Sequence, residues 1–427
     1  MKSLKKSLLA LLSLTMVGCG SAPLAGQMPQ MGMRAPINSM AAPQMRAQAV
    51  TTNLPFFAMF NVAYKGLLAE NEALGRANPQ NVDKYFISLI DSARQTLDGA
   101  FYDIDDAEAV NAFIRAKKRG VRVRLVTEHD SLMDKHNPGS PRKSIAALRA
   151  AGIELRDDGP SNAGLMHHKF MVVDNASVWT GSLNLTTSSM FHHNNNSVMI
   201  RSPQLAANYN AEFQRLFEQG MFGPNAHQIP NPEVNVSGIS IRTFFSPGGN
   251  AMPTVHEELR RATKSIRFMA FSMTDKQILQ IMLEKKAAGV KVEGVFDNCL
   301  IPQYSIYWEL KKAGILALGD GNQALMHHKV MIIDDNVVVT GSYNFSKSAQ
   351  EKNQENMLIV KSPLIAKQYV DEYYKVRTAA FDNKNLPAYD HPACNKRSSA
   401  PATNPAAAPK LSAMSAIMNP PIWIEAE

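Results

Sequence analysis

Three cysteines and three tryptophans in 427 residues leave little room for several common classes of site and scaffold. So few cysteines cannot build the dense disulfide framework of a small secreted scaffold. Cys299 and Cys394 stand in no C-x-x-C spacing, which argues against a zinc ribbon or a thioredoxin-type redox site, and no metal or cofactor is expected. They are suited to one mutual bridge in an oxidising compartment, with Cys19 left over for other chemistry. Beyond the N-terminus no apolar run reaches the ~18 residues a membrane helix needs. The formal charge of +8, from 45 basic and 37 acidic side chains, is a mild bias toward anionic partners such as phosphates, nucleic acid or acidic lipid. It is too modest to mark a dedicated nucleic-acid binder.

The two ends are not core material. "MKSLKKSLLALLSLTMVGCGS" has a basic start (Lys2, Lys5, Lys6), a short apolar stretch from Leu8 to Val17, and a small residue before Cys19. That is the plan of a signal peptide over residues 1–18. The stretch resembles a bacterial lipoprotein lipobox, with Met16 where leucine is usual. The resemblance implies export to the cell envelope, with acylated Cys19 tethering the chain to the outer membrane, or else secretion. Residues 19–52 are rich in Met, Pro, Gln and Ala without periodicity and read as a flexible linker. Residues 385–427, with "SSAPATNPAAAPK", read as a Pro/Ala-rich tail.

Between the tails the chain repeats itself. "LMHHKFMVVD" from Leu165 returns as "LMHHKVMIID" from Leu325, and the windows 165–189 and 325–349 agree at 13 of 25 positions without a gap. The same register holds as far as "RSP" at 201–203 and "KSP" at 361–363. Two homologous halves follow, assigned to 53–230 and 231–384. In each half strand patterns such as "VRVRLV" and "VKVEGVF" alternate with helical ones such as "DAEAVNAFIRAKKRG" and "DKQILQIMLEKKAAG". That alternation predicts an α/β class, with two α/β/α sandwiches built on mixed, mostly parallel sheets.

The polar letters of the repeat have fixed spacing: His167, Lys169, Asp174, Gly181, Ser182 and Asn184 in one copy, His327, Lys329, Asp334, Gly341, Ser342 and Asn344 in the other. A strand has period two, so each histidine points the same way as its lysine. His168 and His328 then face away from the cleft. A lysine on an otherwise apolar strand costs several kcal/mol, on the order of the desolvation penalties of unpaired charge, unless an anion meets it. Ser182, Asn184, Ser342 and Asn344 supply donors suited to phosphate oxygens. Two imidazoles and two ammoniums fit cleavage of a phosphodiester through a phosphohistidine, one histidine attacking phosphorus and the other serving as acid and base. His192 and His193, beside an asparagine run, read as a polar loop rather than metal ligands.

H-x-K-x4-D-x6-G-S-x-N, written twice, resembles the signature of the phospholipase D superfamily over roughly 80–385. The resemblance implies halves packed about a pseudo-two-fold, with both histidines in one cleft. It implies His167 as nucleophile and His327 as acid/base, Lys169 and Lys329 on the phosphate, and Asp174 and Asp334 as braces behind the site. The family also places an acidic residue after each motif to orient the motif histidine. Glu355 fits that place in the second half, and Asn195 stands there in the first. The activity implied is an exported phospholipase D that hydrolyses or transfers the phosphatidyl group of a glycerophospholipid at a membrane surface. A non-specific endonuclease and a cardiolipin-synthase-like transferase are alternatives on the same site, and a cleft that binds without turnover is a third.

Overall fold

Local signals set the ends of the helices in the same way in both halves. Asp106 accepts hydrogen bonds from the backbone N–H groups of Glu108 and Ala109 to start the helix Ala107–Lys118, and Asp275 caps Lys276–Ala287 through the N–H of Ile278. Lysines and arginines fill the last turns of both, and Gly120 and Gly289, with φ of 90° and 86°, end them. The repeated "SP" is another such signal: Ser202 and Ser362 are side-chain N-caps, and Pro203 and Pro363 occupy the first turn, where no N–H is missed. The two helices so started, Pro203–Phe217 and Pro363–Asp382, form the middle of the molecule.

The computed structural model describes residues 54–384, apart from 135, 136, 138, 161–163, 225, 226 and 302–304. The signal peptide, Cys19, the linker to residue 52, Cys394 and the Pro/Ala-rich tail lie outside the described residues. Cys299 is disulfide-bonded.

In the first half the strands are β1 (Phe56–Phe60), β2 (Thr96–Phe101), β3 (Arg122–Thr127), β4 (Glu154–Asp157), β5 (Lys169–Val173), β6 (Ser177–Gly181) and β7 (Asn196–Arg201). They form a sheet in the order β1-β7-β6-β5-β2-β3-β4. In the second half β8 (Glu233–Val236), β9 (Ile239–Ser246), β10 (Ser265–Ala270), β11 (Lys291–Phe296), β12 (Leu316–Gly319), β13 (Lys329–Ile333), β14 (Val337–Gly341) and β15 (Glu355–Lys361) take the order β12-β11-β10-β13-β14-β15-β9-β8. Removing β8 leaves the same plan as the first. The sheets are mixed, as expected, but parallel pairing is the minority. Only β2-β3 and β3-β4, and in the second sheet β10-β11 and β11-β12, are parallel. The reason is that β5 and β6 are joined by a tight turn and so pair antiparallel, that β7 returns antiparallel to β6 after a short helix (Thr187–Phe191), and that β5 joins β2 in the antiparallel sense.

Alternation along the strands divides the core. Phe170 and Val172 of β5, with Val330 and Ile332 of β13, face a central core shared by both halves and filled by Tyr209, Phe213, Tyr369 and Tyr373 of the two middle helices. Met171 and Val173 face an outer core under the helices of the first half, and Met331 and Ile333 face its counterpart in the second. Burial on both faces accounts for the continuous apolar runs "FMVV" and "VMII".

Contacts between the halves are reciprocal. Thr180 Oγ1 lies 2.5 Å from Asn356 Oδ1 and Thr340 Oγ1 lies 2.7 Å from Asn196 Nδ2, and the offset of the repeat turns one pair into the other. Gln354 N donates to Leu165 O across the interface at 2.8 Å, and Asn194 N donates to Leu325 O at 2.9 Å. Such mutual exchange is what a two-fold relation between similar halves produces.

Candidate active site

Each motif histidine stands two residues before its strand, His167 before β5 and His327 before β13, so both sit where the sheets of the two halves end against each other. They are almost fully buried, at 4% and 1% exposure. The backbone just ahead of each is fixed by an acid that directly follows β3 or β11, two strands away in the sheet: Glu128 accepts from Met166 N at 2.6 Å and Asp297 from Met326 N at 2.9 Å. Burial and the charge of Asp158 push the Glu128 carboxyl up to about 8, against the opposing N–H of Met166.

The partners of the histidines cross between the halves. His167 Nδ1 lies 2.8 Å from Glu355 Oε1, and His327 Nδ1 lies 2.9 Å from Asn195 Oδ1. This corrects the expectation that Glu355 and Asn195 each serve the motif of their own half. The cause is the reciprocal packing: the N-terminal ends of β7 and β15 reach over the interface, so the residue after one motif meets the histidine of the other.

Ser182 and Ser342 are also placed differently from the expectation. Ser342 Oγ donates to Glu355 Oε2 at 2.7 Å and accepts from Asn356 N at 3.0 Å. Ser182 Oγ donates to Asn195 Oδ1 at 2.8 Å and accepts from Asn196 N at 3.1 Å. Both hydroxyls are buried, and they steady the groups behind the histidines instead of facing phosphate. The preceding glycines permit this approach: a Cβ on Gly181 or Gly341 would stand 2.2 or 2.3 Å from the carbonyl oxygen of Asn196 or Asn356. Asn184 and Asn344 lie buried two residues further on.

Lys169 and Lys329, each 1% exposed, donate to the carbonyls of their own histidines, His167 and His327, at 3.1 and 3.0 Å. Lys169 Nζ sits 5.0 Å from the ring centre of Tyr102 and Lys329 Nζ 4.4 Å from that of Phe271. The same rings pack against the imidazoles, Tyr102 at 5.2 Å from His167 and Phe271 at 4.7 Å from His327. Burial first, and then the charges of both lysines, holds each histidine well below the usual imidazole value of 6.5. Each ammonium acts on both rings, and His167 acts on His327, so the four groups share one cleft. Neutral imidazoles beside two buried ammoniums make a site that is nucleophilic and ready for an anion.

The remaining expected residues lie elsewhere. Asp174 and Asp334 are at the opposite ends of β5 and β13, in turns where Asp174 and Asn175, and Asp334 and Asp335, have φ of 52° to 53°. Asp174 accepts from the backbone N–H of Arg94, Gln95 and Thr96, and Asp334 from those of Thr263, Lys264 and Ser265. They tie down the strands next to the motif strands and stand at the far end of those strands from the cleft. His168 and His328 face the central helices. His168 Nε2 lies 3.0 Å from Glu212, and His328 Nδ1 lies 3.0 Å from Asn196.

Five cleft residues were not anticipated. Glu128 and Asp297 carry a signal, an acid directly after corresponding strands in both halves. Tyr102 and Phe271 likewise follow β2 and β10. His193, read as a loop residue, is buried with its ring centre 6.0 Å from that of His327. His192, by contrast, pairs with Glu72 at 2.9 Å.

A family model described as "Cardiolipin synthase, PLD-like domain" matches residues 86–217 and again 255–376, once in each half. The chain belongs to the phospholipase D superfamily. A phospholipase D of Rickettsia conorii is 30% identical over 163 residues, covering 38% of this chain and 82% of the relative. A mitochondrial cardiolipin hydrolase of Danio rerio is 34% identical over 143 residues, covering 33% of this chain and 60% of the relative. The crystal structure of phosphatidylserine synthase from Haemophilus influenzae superposes with a TM-score of 0.56 at 12% identity, over 76% of this chain and 88% of that one, a likeness of fold. With two such domains around one cleft, this member of the superfamily is a phospholipase D-like phosphodiesterase.

Proposed function

We propose that the protein hydrolyses, or transfers to an alcohol, the phosphatidyl group of glycerophospholipids through a phosphohistidine on His167. The crossed pairing carries this reading. A carboxylate accepts but does not donate when ionised, so Glu355 keeps the proton on His167 Nδ1 and leaves the Nε2 lone pair for phosphorus. Lys169 and Lys329 hold the non-bridging oxygens as charge builds on phosphorus, and Asn184 and Asn344 add amide groups beside them. His327, held by an amide, protonates the leaving alcohol and then takes a proton from the water or alcohol that releases the phosphatidyl group. The relatives named for phospholipase D and cardiolipin hydrolase support a phospholipid substrate.

The apolar start and Cys19 support export and an N-terminal lipid anchor, which places the cleft beside membrane phospholipid. The family description supports phosphatidyl transfer that makes or breaks cardiolipin as the second reading. The test is incubation of the mature protein with vesicles of phosphatidylcholine or cardiolipin and, separately, with plasmid DNA. Release of phosphatidic acid or of a free head group supports the proposal. Nicking of DNA without lipid turnover contradicts it and assigns the site to a nuclease.

A further inference from the structure

The constant register of the repeat gives every position after the first motif a counterpart after the second, and the two copies differ in chemistry at the tips that cross the interface. Asn353 and Glu355 reach Leu165 and His167; their counterparts His193 and Asn195 reach His327. Both changes therefore fall on one catalytic imidazole. Asn195 Nδ2 donates to Ser189 O at 3.1 Å, which turns Oδ1 toward Ser182 and His327. The amide oxygen fixes the tautomer of His327 with Nδ1–H bonded, but it carries no charge to hold an imidazolium. The titratable groups that act most on His327 are Lys329, Lys169, His193 and His167, and none of these is an acid. The carboxylate of Glu355 bonds His167 instead. His193 stands on the flank of His327 with its rings tilted by 54°, and its Nδ1 is 3.4 Å from Ser189 Oγ, on the same short segment that anchors Asn195.

We propose that His193 is a third imidazole of the reaction, paired with His327 so that the two share one proton, and that this pair replaces the carboxylate which the other half supplies to His167. The inference rests on the reading of His167 as nucleophile and His327 as acid/base. In the resting cleft the pair holds one proton. When the phosphate anion enters between Lys169 and Lys329, it offsets their charge and the proton moves to His327. As His167 Nε2 bonds to phosphorus and the P–O bond to the leaving alcohol breaks, that proton passes to the alcohol oxygen. Water then attacks phosphorus, the P–N bond breaks, and the proton of water returns to the His327–His193 pair. With ring centres 6.0 Å apart, the exchange runs through a bridging water.

Two esters that differ in their need for a proton provide the test. The choline of phosphatidylcholine must be protonated as it leaves; the nitrophenolate of bis(p-nitrophenyl) phosphate need not be. His193→Asn, which installs the residue found at 353, is expected to slow phosphatidylcholine cleavage by about 10-fold or more. The same variant is expected to leave the nitrophenol burst within about 3-fold of the unaltered protein, since general-acid assistance contributes little to that step. His193→Asn combined with Asn195→Glu copies the other half and is expected to recover most of the lost rate on phosphatidylcholine. Equal loss on both esters would mark His193 as structural and overturn the proposal, as would no loss on either. A His167→Asn control reports separately on the underlying reading, because it must lose the burst as well as lipid cleavage.

Discussion

At the scale of the residue, the cleft is made asymmetric by one exchange, a carboxylate at 355 against an amide at 195. His167→Asn removes the nucleophile and is expected to abolish both turnover and phosphoenzyme, a loss of about 10⁴-fold or more read in steady-state rate. His327→Gln is expected to abolish turnover of phosphatidylcholine while still releasing a burst of nitrophenol from an activated ester, since only the proton transfers are lost. Glu355→Gln leaves the hydrogen-bond geometry open but weakens the hold on the His167 imidazolium; a fall of about 10²-fold or more in kcat is expected, checked beside an unchanged circular-dichroism spectrum. Much at this scale was legible. The shared direction of His167 with Lys169, and of His327 with Lys329, follows from the period of a strand. The partner of each imidazole was not legible, because Glu355 is close in sequence to His327 and far from His167, and only the interface decides which it meets. Ser182 and Ser342 were misread for a similar reason: a hydroxyl beside a glycine looks available until a second strand closes over it.

At the scale of the element, the motif is one structural unit, two strands with a turn at one end and a histidine at the other. Asp174 and Asp334 show why the motif aspartates are part of the same pattern without being part of the chemistry. Each carboxylate collects three backbone N–H groups of the strand entry next to it. Asp174→Ala strands those donors and is expected to destabilise the fold by roughly 1–3 kcal/mol, with a lower melting temperature but little change in kcat of the folded protein. A loss of kcat at unchanged melting temperature would place Asp174 back in the reaction. The helix and strand elements themselves were legible from alternation. The order of strands was not, since nothing local in "FMVV" or "VMII" says that β5 and β13 lie antiparallel to β2 and β10.

At the scale of the whole molecule, burial of imidazoles at the junction of the halves couples stability to pH. His167, His168 and His327 are all held below the usual 6.5, with burial as the leading cause. The unfolded chain binds protons on them as pH falls through about 6.5, and the folded chain does not, so their contribution is present above 6.5 and is lost below it. Glu128 has the opposite sign: raised to about 8, it is protonated in the folded state first and adds stability as pH falls from 8 toward 4.5. The melting temperature is therefore expected to peak near neutrality and to decline from about pH 6.5 to 5, where three histidines outweigh one carboxyl. A melting temperature that rises steadily down to pH 5 would mean that these histidines are charged in the fold. The duplication was legible from the unbroken register of the repeat, the mixed sheets from the alternation of strand and helix patterns, and the convergence of two motifs on one cleft from the family resemblance, whereas the central pair of helices and the reciprocal hydrogen bonds of Thr180 and Thr340 were not, because packing between halves leaves no local periodicity.

Turnover depends most on one cleft doing one chemistry with the imidazole that Glu355 holds. Rapid quench in alkaline detergent, which preserves the acid-labile P–N bond, during turnover of a phosphodiester with a labelled phosphorus, followed by peptide mapping at alkaline pH, tests this directly. It is expected to give no more than one phosphoryl group per chain, on the peptide that contains His167 and absent from His167→Asn. Two phosphoryl groups per chain, or label on the peptide that contains His327, would contradict it.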